Sequence, residues 1–204
     1  MSKTILMIIL VLLTMLLQSC SLVSISDNKP VKLQRYEIKL SENLPQDLIQ
    51  NGPAIRVYPV QTDARFNSVR IAYSLNPHEI AYYTQSEWAD TPGNMLLPLL
   101  VNGLENSGRF SAVISDDSSV IADYALDFNL HELMHYIRDN KKYVKLQVRL
   151  QLIDLRKRTV LGTENISLEK AVTENNANGA VLAANQLVKP LVEKMQKFVG
   201  LYVK

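Results

Sequence analysis

The chain has 204 residues, of which 47% are hydrophobic, and its 22 basic and 20 acidic side chains give a net charge of +2. This near-neutral charge argues against nucleic-acid binding, which requires a clustered basic field. The single cysteine rules out an intrachain disulfide framework. We predict no metal or other cofactor, and the length suits one domain with a substantial core.

The first segment of the chain has the features of a lipoprotein signal peptide. An apolar run of 13 residues, Ile5–Leu17, follows Lys3. It is shorter than the roughly 20 residues of a membrane-spanning helix and is typical of a signal-peptide core. The run leads into "LLQSC", in which Leu17-Gln18-Ser19-Cys20 resembles a bacterial lipobox. We predict a signal peptide over residues 1–19 and a lipidated Cys20. The resemblance to bacterial lipoproteins implies that Cys20 carries a diacylglyceryl group and an N-acyl chain such as palmitate. The alternative is a buried free cysteine beside an ordinary signal peptide.

The residues after Cys20 predict where the anchored protein resides. Ser21 stands where an Asp commonly retains lipoproteins at the inner membrane. We therefore predict a lipid anchor in the outer membrane of a Gram-negative cell envelope, with the protein facing the periplasm. Residues 20–34 lack sustained periodicity and are predicted to be a tether that reaches on the order of 40 Å when extended. Residues 35–204 are predicted to form the single folded domain.

Strands and helices alternate in the predicted domain. Short strands are predicted at residues 36–40, 54–61, 69–75, 79–85 and 110–115. The third and fourth form a hairpin, with Pro77 at position i+1 of the turn. A helix follows Thr91-Pro92 and contains Pro98. A terminal helix has one apolar face, and Pro190 predicts a bend in it. That face is formed by Ala180, Ala184, Leu187, Leu191, Met195 and Phe198.

The motif "HELMH", residues 131–135, has the spacing of the zinc-hydrolase motif H-E-x-x-H. In such enzymes the two histidines lie one helical turn apart and converge on one ion. Here, however, apolar residues occupy every second position from Tyr124 to Leu130 and from Val144 to Leu152. This period of two predicts a long antiparallel hairpin, with HELMH on its first arm and a slip of phase near Leu133-Met134. On a strand, the two histidine Cα atoms lie roughly 13 Å apart. We therefore interpret the motif as a pair of half-exposed strand histidines.

The expected fold is α/β, a single domain in which a mainly antiparallel mixed sheet carries two amphipathic helices on one face. Alternation in the long strands indicates that only one face of the sheet is strongly apolar. The other face is lined by Lys145, Gln147, Arg149 and Gln151.

Residues 70–101 are the most individual stretch, "RIAYSLNPHEIAYYTQSEWADTPGNMLLPLLV". The order Tyr-Tyr, Trp-Ala-Asp and Pro-Gly resembles the auxiliary lipoproteins of ABC-type transporters of the lipid-trafficking kind. The resemblance continues more weakly through "ADYALDFNL" and "VKLQVRLQLID", and it covers nearly all of residues 35–200. HELMH coincides with a strand of that family.

The resemblance implies a non-enzymatic component of an ABC/MCE-type (mammalian-cell-entry) intermembrane transport system. Its expected partner is a periplasmic MCE-type protein, and the assembly is expected to move phospholipids or other apolar molecules. The lipoprotein would dock this assembly at the outer membrane. An alternative is a structural or assembly lipoprotein of the outer membrane, and a remote alternative is a zinc hydrolase that uses HELMH. The sequence leaves self-association open.

Four residues are predicted as contacts for the partner: Tyr82, Tyr83, Trp88 and Arg149. Exposed aromatic and arginine side chains are enriched at protein interfaces. The alternative for the three aromatic residues is packing of the hairpin against the following helix. The alternative for Arg149 is an ordinary solvated sheet face.

Overall fold

The computed structural model describes residues 32–40, 49, 51–138 and 141–203. Leu33–Lys204 form one compact unit. The predicted signal peptide, Cys20 and the tether as far as residue 31 lie outside the described residues. Within the described ranges, no helix combines the length and the hydropathy needed to cross a bilayer.

The described chain forms a nine-stranded mixed sheet and two helices. The strands are β1 (Gln34–Tyr36), β2 (Ala54–Val57), β3 (Gln61–Thr62), β4 (Arg70–Ser74), β5 (Ala81–Trp88), β6 (Ala112–Ser115), β7 (Tyr124–Arg138), β8 (Lys141–Asp154) and β9 (Thr159–Ala171). The helices are α1 (Pro92–Glu105) and α2 (Ala177–Gly200). The α/β class predicted from the sequence is confirmed.

The sheet is built around β7. One edge of β7 pairs with β8 along its whole length, and β8 pairs in turn with β9; both pairings are antiparallel. The other edge of β7 pairs in parallel with three short strands, β2, β3 and β4, one after another. β6 extends the sheet beside β2, and β5 and β1 extend it beside β4. β9 pairs only with β8 and therefore forms a long edge of the sheet.

The predicted hairpins are both present. β4 and β5 are antiparallel, and the Glu79 N–H donates to the Asn76 carbonyl across the turn. His78 has φ 66°, the positive value that position i+2 of a type II turn requires, directly after Pro77. In the second hairpin, β7 and β8 follow the predicted alternation, with a register shift between Leu130 and Glu132.

Two of the predicted strand positions are wrong. The first strand ends at Tyr36 instead of spanning residues 36–40. The reason is that the next residues turn toward α2, where Ile38 is buried and the Lys39 N–H donates to Asn185 Oδ1 at 2.7 Å. The predicted strand 54–61 is divided into β2 and β3. Pro59 lies in the break, where its ring removes a ladder N–H.

The main hydrophobic core lies between the helices and one face of the sheet. The six residues predicted for the apolar face of α2 are all buried. Both helices continue through their internal prolines, Pro98 and Pro190. From the sheet, fully buried leucine and phenylalanine side chains pack beneath the helices, namely Leu126, Phe128, Leu130, Leu146, Leu150 and Leu152.

The opposite face of the sheet is more polar, but part of it is covered. Lys145, Gln147, Arg149 and Gln151 alternate with buried β8 residues, as predicted. A second, smaller hydrophobic cluster contains Phe66, Ala72 and Met134. Met134 lies opposite Lys145 in the register and therefore shares its face. The segment around Phe66 thus covers a part of this face that the sequence pattern left open.

Gly103 allows the two helices to approach closely. A Cβ atom at this position would lie 2.5 Å from Val192 Cγ1 and 3.1 Å from Met195 Cε. In addition, Gln196 Nε2 donates to the Gly103 carbonyl at 2.6 Å. The helices are therefore too close at Gly103 to accommodate a methyl group.

The core also encloses one histidine. His135 is 1% exposed, and its Nδ1 lies 2.8 Å from the Tyr83 hydroxyl. Burial, and to a smaller degree the charge of Lys142, lowers the pKa of His135 to about 4. The imidazole is therefore neutral in the folded protein at neutral pH.

We predict that Gly103→Ala lowers the free energy of unfolding by about 1 kcal/mol, because overpacking costs more than the gain in helix propensity. Chemical denaturation measures this change. Gly103→Ala should cost less in a Val192→Ala background, because the smaller side chain makes room for the new methyl group. A Gly103→Ala protein as stable as the wild type would contradict the close approach.

We predict that acid destabilises the protein through His135. Its folded pKa is lower than the unfolded value of about 6.5, so the unfolded chain takes up the proton first. The stability is fully present above about pH 6.5 and falls as the pH drops toward 4, by about 3 kcal/mol. Denaturation at a series of pH values should show this slope. His135→Gln should flatten it and the control His131→Gln should not; equal slopes in all three proteins would refute the assignment.

Candidate functional site

HELMH lies on β7, so the strand predicted for it is confirmed. The register shift inserts His131 as an extra residue between the pairs Leu130–Val148 and Glu132–Gln147. Residues four apart on a regular strand share a face, but one inserted residue reverses the phase. His135 therefore lies on the helix-covered face, while the half-exposed His131 lies 3.3 Å from Asp63 Oδ1. The predicted pair of half-exposed histidines is wrong, because His135 is buried.

Glu132 is engaged by neighbours on the sheet. The residue is 9% exposed and accepts a hydrogen bond from the Tyr136 hydroxyl. Lys145 Nζ lies 3.4 Å from its other carboxylate oxygen. This carboxylate is thus held in a structural network beside the β-bulge at His131, where the register of β7 shifts. The described residues contain no group of three or more His, Cys, Asp or Glu side chains arranged to hold a metal ion.

Tyr83 lies on the helix side of β5 and forms part of the wall of the main core. Its hydroxyl contacts His135, and its ring lies 4.8 Å from the Tyr73 ring, measured between centroids. Burial, with a smaller contribution from Tyr73, raises the pKa of Tyr83 to about 12. The side chain is half-buried, so only part of the ring is available to a partner.

Tyr82 points to the other side of the sheet, as expected for adjacent strand residues. It packs on the smaller hydrophobic cluster, and its hydroxyl donates to the Arg65 carbonyl at 3.0 Å. The Arg70 guanidinium lies 3.9 Å from the ring centroid, a cation–π contact. This arrangement fixes Tyr82 on the polar side of the sheet.

Trp88 is 3% exposed and belongs to the main core. It therefore has almost no surface to offer a partner, and packing of the hairpin explains its position. Arg149 stays accessible on the polar face, where Asn129 and Asn165 flank it in the register across β7 and β9. The four predicted contact residues thus do not form one patch.

Among the described residues, the sequence pattern did not indicate the following two clefts. One of about 560 Å³ lies between β5 and the first turn of α2, and it is lined by residues that include Gln34, Tyr36, Tyr83, Ser86, Asn176 and Asn178. The other, of about 700 Å³, lies at the tip of the long hairpin and is lined by residues that include Lys141, Lys142, Tyr143, Glu169 and Thr173. In the sequence, the second cleft is marked only by the adjacent lysines after "RDN". Such a pair is as typical of a turn as of a binding site.

Comparison with solved structures supports the fold. Protein XCC0632 from Xanthomonas campestris superposes with a TM-score of 0.72 at 16% identity, covering 81% of this chain and 94% of that chain. An uncharacterised protein gives a TM-score of 0.64 at 12% identity, covering 82% and 99%. The hypothetical protein CT253 from Chlamydia trachomatis gives 0.51 at 10% identity, covering 72% and 98%. At these identities the likeness concerns the fold alone.

The sequence itself matches a family model described as "ABC-type transport auxiliary lipoprotein component" over residues 38–196. No curated protein matches the chain. The family match extends from the residues that follow β1 almost to the end of α2, and so includes the polar face of β7, β8 and β9. The resemblance found in residues 70–101 is confirmed, and the chain belongs to the family of ABC-type transport auxiliary lipoprotein components.

Proposed function

We propose that the protein is the non-enzymatic lipoprotein component of an ABC/MCE-type intermembrane transport system, which docks the periplasmic assembly at the outer membrane. The family match over residues 38–196 carries this proposal, because it joins a lipoprotein to an ABC-type transport system. The cargo is proposed to be phospholipid or another apolar molecule.

A non-enzymatic role is consistent with the geometry of the motif that most resembled a catalytic site. The imidazoles of His131 and His135 lie on different faces of the sheet and cannot share an ion of the zincin kind. Glu132, the third motif residue, is occupied by Tyr136 and Lys145. These contacts support a structural role for HELMH in holding β7 at its bulge.

The proposed anchor is the acylated Cys20, with residues 20–34 as the tether and residues 35–204 as the domain. Two or more acyl chains hold a protein stably on a membrane, whereas one chain binds reversibly. The tether would raise the concentration of the domain near a partner at the same membrane. Placement at the outer membrane rests on Ser21 after the lipidated cysteine.

The proposed docking surface is the polar face of β7, β8 and β9 around Arg149. Arg149 Nη1 makes one weak contact, 3.3 Å from Gln151 Oε1, and no ion pair with a described residue. Arginine with unused donors is a frequent anchor in protein interfaces. Tyr82 adds an aromatic ring fixed on the same side of the sheet, whereas Tyr83 lies on the helix side and Trp88 is buried.

The alternative function is a structural or assembly lipoprotein of the outer membrane, and self-association is compatible with either. Crosslinking in intact cells, followed by identification of captured proteins, separates the two functions. Capture of an MCE-type protein supports the transport role. Capture of only β-barrel or cell-wall components supports the structural role.

We predict that Cys20→Ser blocks lipidation, because Cys20 is the only cysteine of the chain and the thiol is the acylated group. Metabolic labelling with a fatty-acid analogue should lose all signal on the variant, and the protein should leave the membrane fraction. Ser19→Ala, which keeps a small residue before the cysteine, serves as the control and should retain the label. Unchanged labelling of the Cys20→Ser protein would rule out this anchor.

We predict that Arg149→Glu weakens binding of residues 21–204 to the purified MCE-type protein of the same cell by tenfold or more, about 1.4 kcal/mol. Biolayer interferometry measures the affinity. Lys194→Glu makes the same charge change on the exposed side of α2 and should leave binding unaltered. Equal affinities for both variants would show that the partner does not dock on the polar face. If the wild type does not bind, the docking proposal is wrong.

A further inference from the structure

β9 is a long strand whose outer edge has no neighbouring strand in the described fold. Its residues, Thr159–Ala171, pair with β8 on one side only. From Gly162 to Ala171 this pairing is regular, because the register shift lies before it, between Leu152 and Ile153 of β8. The backbone N–H and C=O groups on the outer side of β9 therefore remain available for hydrogen bonds to another strand.

The two faces of β9 carry different side chains. Every second residue lies opposite a buried core residue of β8 and therefore belongs to the helix-covered face. These residues are, in order, Glu164, Ile166, Leu168 and Lys170. Ile166 is 3% exposed, and Leu168 is half-buried against the main core. On this face, an apolar pair is thus flanked by an acidic residue on one side and a basic residue on the other.

The two charged residues of this face have no charged partner among the described residues. Glu164 and Lys170 are both exposed, and neither makes an ion pair within the part of the chain that the structure describes. They lie about 20 Å apart along the strand, so they cannot pair with each other inside one chain. The opposite charge that would complement each of them must therefore come from another molecule.

We propose that β9 pairs with β9 of a second copy of this chain, in an antiparallel register centred on Ser167. A two-fold axis perpendicular to the sheet relates the two strands at this residue. Glu164 of each copy then lies opposite Lys170 of the other, so the ion pair occurs twice. Ile166 lies opposite Leu168 of the second copy, which joins apolar side chains across the axis. The proposal is independent of the lipid anchor and of docking to an MCE-type protein.

Other symmetric registers lose this match. If the pairing is centred on Glu164, Glu169 or Lys170, that residue lies opposite its own symmetry mate, and like charges directly opposite are destabilising. If it is centred on Asn165, Ile166 or Leu168, one of the charges lies opposite an apolar residue of the helix-covered face. A charge in that position loses solvation without gaining a partner. The charges that oppose unwanted pairing of this edge therefore permit the register centred on Ser167.

The dimer has a consequence for the polar face. Because the axis is perpendicular to the sheet, the polar faces of both copies lie on the same side of the joined sheet. Arg149 lies beside Asn165 of β9, so each dimer presents Arg149 twice on one continuous surface. A partner with two equivalent binding surfaces would bind such a dimer with higher avidity than a single domain.

The size of the contact predicts a weak dimer. Only the segment from Thr163 to Ala171 of each strand takes part in the pairing. Stable protein interfaces bury about 1,200–2,000 Å², and a single pair of strands of this length lies at the lower end of the range. We therefore expect a dissociation constant on the order of 10 μM in solution.

Sedimentation velocity of residues 21–204 measures this association, since the compact unit Leu33–Lys204 carries its own core. We expect the dimer fraction to rise with concentration across the micromolar range. Glu164→Lys and Lys170→Glu each replace two attractive pairs with two repulsive ones, and each should weaken the dimer by tenfold or more. The control Lys194→Glu, on the exposed side of α2, should leave it within twofold.

A mixture of the two single variants tests the charge pairing directly. The Glu164→Lys chain carries positive charges at both paired positions, and the Lys170→Glu chain carries negative charges at both. A mixed dimer therefore has two attractive pairs. We expect the mixture to associate as well as the wild type, although each variant alone is largely monomeric. A mixture that associates no better than the separate variants would overturn the proposal.

Disulfide trapping tests the register. Residues 21–204 contain no cysteine, because Cys20 is the only one in the chain. Ser167→Cys places two thiols directly opposite each other, with their Cα atoms about 5 Å apart, so oxidation with copper phenanthroline should link the copies. Asn165→Cys and Glu169→Cys lie on the same face, but each is about 13 Å along the strand from its symmetry mate and should not be linked.

A wild type that stays monomeric would overturn the proposal and leave the β9 edge to a strand of another protein. Trapping through Asn165→Cys or Glu169→Cys as efficiently as through Ser167→Cys would also overturn it, because the register would be different. Circular dichroism verifies that each variant is folded. None of these results decides docking, which is measured separately with the purified partner.

Discussion

Fourteen residue pairs join β7 to β8, and the rest of the sheet is built on the outer edges of these two strands. The free edge of β7 supports β2, β3 and β4 in turn, so one long strand replaces direct pairing among three short ones. On the other side, β8 carries β9 and contacts α2. Short strands are weak alone, and a common long neighbour supplies the pairing that their own length cannot.

The single inserted residue in β7 determines what each face of the sheet contains. Before the bulge Leu130 faces the helices, and after it Leu133 and His135 do so. Met134 is turned to the polar side, where it packs with Phe66 and Ala72. With regular alternation after Leu130, Leu133 would face the polar side, and Glu132 and Met134 would face the helices. The bulge therefore permits two hydrophobic clusters, one on each side of the same strand.

Alternation and helical periodicity in the sequence predicted the elements that bury one face along their whole length. The β7–β8 hairpin and the buried face of α2 belong to this group, because burial of one face imposes the period directly. The end of β1 at Tyr36 was not predicted, because it depends on contacts with α2 that are distant in sequence. The break between β2 and β3 does have a local signal in Pro59, which the alternating pattern of residues 54–61 outweighed. Burial of Trp88 likewise follows from its neighbours in space. The cleft at the tip of the long hairpin could not be predicted, because β8, β9 and the segment after them meet only in three dimensions.

The long edge formed by β9 has a consequence for the solubility of the domain. Thirteen residues of strand present one row of backbone donors and acceptors with no neighbouring strand in the described fold. Such an edge is a template for unwanted pairing between chains. Charged side chains along it, Glu164, Glu169 and Lys170, oppose that pairing through solvation and repulsion. Solubility of the domain thus depends on a few surface charges that contribute little to its stability.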